Sequence, residues 1–403
     1  MSGSTTVDVA IVGLGFGEDF LPVYQAHPAV GRVAIVDTDE RRLADVGDRY
    51  GVPDRFTDVH ALLATDAWDA VHVLAPVSFH AALSLAVLES GRHCACAVPM
   101  ATSLDDVHAL VETQARTGLV YTMMETAVRG REYAAVERLH RDGALGTLTG
   151  YHGFHVQNLD GYPEYWRGYP PMQYATHALA PALALEQTYV EQVVCLGSGR
   201  LTPDRLGASG NPFPTQVGLF TLAGSDLLAQ VTLSFFQTAR PYTEGFDVYG
   251  DAGSVEWPRV DGDPLRHYAM QALDPTLPDR GLRGRRSTLT PLEPVDETAG
   301  LPVEVTPYLS AFDVPDGAGG TLRRGAEHGG SHPRLVHEFV TACVTGTQPP
   351  LDAVTSARFT APGICAHESS LRHGAPVAVP PFTPSSTTSQ EAALSGATKG
   401  SHR

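Results

Sequence analysis

The chain has 403 residues, 43% hydrophobic and 18% charged, which is ordinary for a globular protein and long enough for two domains. Its 45 acidic against 28 basic residues leave a formal charge of −17, a surface that repels phosphate backbones and anionic lipid and so excludes nucleic-acid and membrane partners from the expected classes. No apolar run reaches the roughly 18 residues of a membrane span, and the first residues lack the pattern of a secretory leader, so a cytoplasmic protein is expected.

Residues 7–12, Val-Asp-Val-Ala-Ile-Val, form a short apolar run that stops at Gly13, as a buried parallel strand does. A helix is predicted over 16–26, a second buried strand over 32–37 ending on an acid, and a helix over 41–50. The alternation continues with strands at 70–74, 93–97 and 119–124 and helices at 81–89 and 103–116. This order predicts a doubly wound parallel sheet, an α/β Rossmann domain over residues 1–130.

Beyond Gly130 the texture changes. A helix is expected at 131–141, then strand-like runs at 149–156, 217–222, 227–236, 246–249 and 254–257, with a hairpin signal at Gly224-Ser225-Asp226. They predict an α+β domain with an antiparallel sheet over 131–380. Residues 261–325, rich in Pro, Gly, Asp and Arg, read as a long irregular excursion. Helices at 334–345 and 353–371 close the fold, and the Ser/Thr/Gly/Ala-rich stretch 381–403 reads as a disordered tail. The five cysteines read as reduced thiols, because Cys94-Ala-Cys96 is too closely spaced for a zinc knuckle and no second pair answers it.

Gly13-Leu14-Gly15-Phe16-Gly17 lies between the first strand and first helix. There Gly13 permits a tight turn, and Gly15 lets the backbone approach a pyrophosphate at a helix N-terminus. A third glycine or alanine is expected three residues after Gly15, but Glu18 stands there, with Gly17 beside it. Asp37 closes the second strand 24 residues after Gly13, where a carboxylate binds both adenosine ribose hydroxyls and repels a 2′-phosphate. The cofactor read from this set is NAD; Arg41 and Arg42 keep NADP as the less favoured choice.

With these residues in place, the chain resembles the Gfo/Idh/MocA (glucose-fructose oxidoreductase/inositol dehydrogenase) family over about residues 7–380. Ala75-Pro76-Val77-Ser78-Phe79-His80 is similar to that family's TPxxxH, and Glu89-Ser90-Gly91-Arg92-His93 ends a helix before the fourth strand. Ala97-Val98-Pro99 stands where the family usually has Glu-Lys-Pro, and His177 closes the series. The resemblance implies an open antiparallel sheet in the second domain and a homodimer or homotetramer. It puts Pro76, His80 and Pro99 beside the cofactor with Phe16. It also implies an NAD-dependent dehydrogenase or reductase acting on CH–OH groups of a sugar, sugar derivative or cyclitol. The chain departs from the family at two positions: Val98 replaces the usual lysine and Gln173 the usual aspartate, and the chain's only lysine is Lys399.

His177 is then the expected acid/base, since imidazole titrates near neutrality, and Gln173 shares its face if 173–177 is helical. Expected substrate contacts are His155, Gln157, Tyr165, His328 and His332, with Tyr162 and Trp166 available to stack on a pyranose ring. His328 and His332 have HxxxH spacing, but Gly329, Gly330 and Pro333 oppose a helix there, so no metal is expected. Two rival readings remain open. One is redox-neutral elimination or glycosidic cleavage with transient use of tightly bound NAD; the other is a non-catalytic cofactor- or sugar-binding sensor.

Overall fold

The computed structural model describes residues 6–260, 262–272, 286–294, 296–316 and 319–383. Six parallel strands form the first sheet: β1 (Val7–Val12), β2 (Val30–Val36), β3 (Arg55–Phe56), β4 (Ala70–Val73), β5 (His93–Cys96) and β6 (Tyr121–Met123). Helices α1 (Leu14–Gly17), α2 (Leu21–Ala26), α3 (Glu40–Arg49), α4 (Val59–Leu63), α5 (His80–Glu89) and α6 (Leu104–Thr117) connect them. The strand order is β3-β2-β1-β4-β5-β6. The direction of build-up therefore reverses between β1 and β4, and the crevice beyond their carboxyl ends is where such sheets bind ligands. The central strands carry Val9, Ala10, Ile11, Val71 and Val73, all fully buried, as a sheet covered on both faces requires.

The helix expected over 16–26 is two pieces. Pro22, at the start of α2, has no amide to donate backward, so α1 stops at Gly17 and a new helix begins.

After α7 (Arg131–Arg141) a nine-stranded sheet follows: β7 (Leu148–Val156), β8 (Val190–Ser198), β9 (Thr215–Leu222), β10 (Leu228–Ser234), β11 (Thr243–Gly250), β12 (Gly253–Glu256), β13 (Leu265–Met270) and β14 (Ser287–Leu292), joined late in the chain by β17 (Val377–Ala378). The sheet is antiparallel except that β7 and β10 run parallel, because β10 returns through the long connection containing α8 (Thr176–Glu186), β8 and β9. The segment expected to be irregular over 261–325 instead holds β13, β14 and a hairpin of β15 (Phe312–Pro315) and β16 (Thr321–Arg324). Its prolines hid the strands. Pro291 is tolerated because β14 is the sheet's edge strand, where a missing amide costs no ladder bond. Residues 273–285 of that segment, and the expected tail from residue 384 on, lie outside the described residues.

The last two helices bind the halves together. α9 (His332–Thr345) packs on α2 and β1, and α10 (Ala353–Leu371) lies against α6, α8 and β8. In α10, Ser356 Oγ accepts the amide of Met123 at the end of β6. No helix among the described residues is long and apolar enough to cross a membrane.

Candidate active site

A cleft of about 810 Å³ runs from the glycine turn of the first sheet to the face of the second, lined by Gly13, Gly15, Phe16, Asp37, Pro76 and His80 at one end. Gly13 has φ +91°, and a Cβ there would meet the Leu74 carbonyl at 2.6 Å, so both its conformation and its neighbour demand glycine. Beyond Gly15 the space is open to 4 Å, as approach of a diphosphate requires, whereas a Cβ on Gly17 would strike Ile11 of β1 at 2.7 Å. Gly17 thus performs the close helix–strand packing expected of the third glycine. This frees Glu18, which pairs with Arg49 at 2.5 Å and Arg324 at 2.8 Å and so presents no bare charge to a phosphate. Arg324, at the end of β16, also reaches Asp19 at 3.0 Å.

Asp37 is buried at the end of β2. Its Oδ2 accepts the Leu14 amide at 2.8 Å and its Oδ1 the Asp39 amide at 2.9 Å, while Arg42 lies 3.3 Å away. His80 bonds the carbonyls of Pro99 and Ala75, each at 2.8 Å. Carbonyls only accept, so both ring nitrogens donate and the ring is an imidazolium. Burial opposes that charge, but the Cys96 thiol and the two carbonyls hold its pKa up at about 9. Pro99 enters the site through this carbonyl. An open diphosphate approach, a tight turn at a sheet switch point and a carboxylate at the rim fit a dinucleotide.

At the other end, α8 lies so close to β7 that a Cβ on Gly153 would meet the Ala178 carbonyl at 1.9 Å, and Tyr151 donates to the same oxygen at 2.8 Å. That docking sets His177, at the start of α8, into the cleft wall. Its Nδ1 donates to Oε1 of Glu125 at 2.5 Å, and both side chains are buried. Burial works against a charged ring, but Glu125 and Glu244 outweigh it and raise the pKa of His177 to about 9. With Nδ1 committed to Glu125, Nε2 is the nitrogen left for a substrate proton. The second carboxylate oxygen of Glu125 has no hydrogen-bond partner among the described residues.

His155 of β7 lines the cleft too, its ring centroid 6.0 Å from that of His177. Its Nε2 donates to Gln157 Oε1 at 3.2 Å, and Gln157 Nε2 donates onward to the Tyr162 hydroxyl at 2.9 Å. Burial lowers the His155 pKa to about 4, so the ring is neutral at physiological pH. Across the ladder, β11 sets Glu244 opposite His155, and the Tyr242 hydroxyl donates to Glu244 at 2.6 Å. Burial disfavours the Glu244 charge, yet His177, His155, His328 and the Tyr242 hydroxyl overcome this and lower its pKa to about 2. His328 stacks near His177 with centroids 6.0 Å apart. It is held there by a left-handed backbone at φ +47°, a strained conformation for a non-glycine residue of the kind that clusters at functional sites.

Two expected site residues fall elsewhere. Gln173 sits in a 3₁₀ turn over Pro171–Tyr174, and α8 starts only at Thr176, so Gln173 and His177 share no helical face; Gln173 donates instead to the Thr102 carbonyl at 3.3 Å. The consecutive prolines Pro170 and Pro171 impose that turn. His332 is buried behind the cleft, stacked on Phe20 with centroids 3.9 Å apart, and burial drives its pKa well below the usual value. Tyr165 does line the cleft, half-exposed. Glu125, Glu244, Tyr174 and Tyr242 were not singled out from the sequence. The one available signal was an acid directly after an apolar strand, at the ligand-binding edge of the sheet. No group of three or more His, Cys, Asp and Glu among the described residues is arranged to hold a metal ion.

Comparison with known proteins agrees with this geometry. Residues 7–125 match the family model of Gfo/Idh/MocA, described as an oxidoreductase family with an NAD-binding Rossmann fold. An inositol 2-dehydrogenase of Rubrobacter xylanophilus is 27% identical over 267 residues, 65% of this chain and 74% of that protein. A glycosyl hydrolase family 109 protein of Saccharopolyspora erythraea is 25% identical over 409 residues, 94% of this chain and 83% of that one. Among solved structures, levoglucosan dehydrogenase in complex with NADH and L-sorbose has the same fold, with a TM-score of 0.72 at 18% identity over 93% of this chain and 99% of that one. Residues 7–125 carry the NAD-binding Rossmann fold described by the Gfo/Idh/MocA oxidoreductase model, and NAD is the cofactor that fold binds.

Proposed function

We propose that the protein transfers a hydride between a carbinol of an uncharged sugar, sugar derivative or cyclitol and NAD, with His177 as the acid/base. The observation that carries this reading is the buried Glu125–His177 pair opening on the same cleft as the Gly13–Gly17 turn. NAD, held by that turn and by Asp37, supplies the hydride acceptor for the carbinol carbon. As the C–H bond breaks, the hydroxyl proton passes to Nε2 of His177, and Glu125 stabilises the imidazolium that forms. In the reverse direction the imidazolium returns the proton to the carbonyl oxygen. His155 holds Gln157, which lines the same cleft and orients the ring through a neighbouring hydroxyl. The names of the inositol and levoglucosan dehydrogenases support the substrate class. The test is NADH formation at 340 nm on mixing protein, NAD and a panel of neutral hexoses, anhydrosugars and inositols. NAD is expected to be preferred over NADP, and Asp37→Ala to erase that preference; silence across the panel would sink the reading.

A second reading has its own support in full-length similarity to proteins named as glycosyl hydrolase family 109 and in the Tyr242–Glu244–His155 array, a second proton-handling group on the same cleft. Oxidation of one carbinol acidifies the adjacent C–H. A base removes that proton, the substituent departs taking a proton, water adds, and the hydride is returned. Glycoside cleavage without net NADH distinguishes this chemistry from the first.

We infer further that the protein is a homo-oligomer. The face of the large sheet turned away from α8 leaves Leu196, Leu219 and Leu228 exposed at 56%, 41% and 45% on three adjacent strands. Light scattering is expected to give a mass of two or four chains, and a monomer would overturn this.

A further inference from the structure

The cleft is longer than the reacting centre needs. His177 stands at its inner wall, while the segment after β7 carries Tyr162 and Tyr165, which line the same cleft and are 49% and 46% exposed. Large aromatic rings held half-open inside a cleft are unpaired surface that a ligand covers. They are not loosely held. Tyr165 packs on Trp166 with centroids 5.5 Å apart, and Trp166 meets Tyr169 edge-on at 5.1 Å and Tyr174 edge-on at 5.5 Å. The Tyr162 hydroxyl is fixed by Gln157, which is bonded to His155, so a polar chain runs from the side of His177 out to the mouth. Among the described residues no lysine or arginine lines this half of the cleft; Glu125 is buried and Glu244 is 13% exposed behind it. A carboxylate or phosphate on the ligand's outer ring would find no lysine or arginine there to pair with.

Resting on the reading of His177 given above, we propose that Tyr162 and Tyr165 form an outer subsite for a second uncharged ring, glycosyl or aryl, joined through oxygen to the ring presented to His177. Preferred substrates are then two-ring glycosides of neutral sugars or cyclitols, not free monosaccharides or sugar acids. The apolar face of the second ring lies on the tyrosines, and Gln157 and the Tyr162 hydroxyl serve its polar edge.

The test compares matched ligands on the full chain with NAD: glucose against cellobiose and 4-nitrophenyl β-glucoside, galactose against lactose and 4-nitrophenyl α-galactoside, and myo-inositol against galactinol, with glucuronate as the acidic control. Binding is read by quenching of tryptophan and tyrosine fluorescence, and turnover by NADH or released nitrophenol. The expected result is a two-ring over one-ring preference of roughly tenfold in Kd or kcat/KM for at least one pair, and no binding of glucuronate. Tyr165→Ala is expected to collapse that ratio toward one, and Tyr165→Phe to keep it. Equal values within every pair, or a Tyr165→Ala variant that lowers both members alike, would overturn the outer subsite. Ligand binding with the expected preference but no NADH and no cleavage would leave the subsite standing and overturn the dehydrogenase reading instead. No binding of any member would overturn both.

Discussion

Replacing His177 by Ala is expected to lower turnover by roughly 10²- to 10⁴-fold while leaving the affinity for NAD near that of the parent chain. The two effects separate because His177 sits on α8, whereas the Gly13–Gly17 turn and Asp37 belong to the first sheet. The substitution also strands Glu125, already 0% exposed, with only the Ala127 amide as partner, so thermal stability should drop as well. His177→Gln is the companion variant. Its amide can still donate to Glu125 and restore stability, but it cannot take a proton, so activity should stay lost. Calorimetric titration of NAD, a melting curve and the steady-state rate on one turned-over substrate check the set. Retention of more than a tenth of the rate in both variants would remove His177 from the proton step.

Glu125→Gln is expected to move the pH profile. In the parent chain the His177 pKa stands at about 9, so the neutral imidazole that accepts a proton is scarce at pH 7 and grows as pH rises. The rate of alcohol oxidation should therefore climb from neutrality and level off above about pH 9, and carbonyl reduction, which needs the imidazolium, should run the other way. The amide put in place of the Glu125 carboxylate keeps the shape and an acceptor but removes the charge that favours the imidazolium. The inflection should then slide toward the ordinary histidine value near ~6.5. The plateau should fall by roughly ten- to a hundredfold, because a less basic imidazole is a poorer acceptor and its charged form loses its counter-ion. Rates of both directions between about pH 6 and 10 provide the check, a range that brackets both inflections. An inflection that stays in place would mean another group titrates.

Which parts of this site were legible depends on whether the signal is local. Gly13, Gly15 and Asp37 are readable because turn, phosphate approach and ribose acid occupy fixed offsets within one strand–helix–strand unit. Five strands of the first sheet are readable because burial on both faces writes them as short apolar runs, whereas the two-residue β3 leaves no such run. The Glu125–His177 bond joins residues 52 apart, on a strand end and a helix start that meet only through the docking of α8 on Gly153. No spacing rule encodes that. Glu244 faces His155 through the register of β7 with β11, which a hairpin signal does not specify when other strands intervene. The shared face of Gln173 and His177 depended on a helix over 173–177, and the chain instead makes a 3₁₀ turn there before α8 begins at Thr176. Within 261–325 the Pro, Gly, Asp and Arg content was read as an irregular excursion, yet β14 at the sheet edge and β13 beside it formed there.

The placement of α9 and α10 has a consequence for biosynthesis. They are the last helices among the described residues, yet one roofs β1 and the other braces β6 and α6. A nascent chain that stops short of α9 still carries bare apolar surface on its first-made sheet, so the amino-terminal half cannot reach its final state on the ribosome ahead of the rest. A fragment truncated before α9 is expected to leave that surface bare and to melt less cooperatively than the full chain.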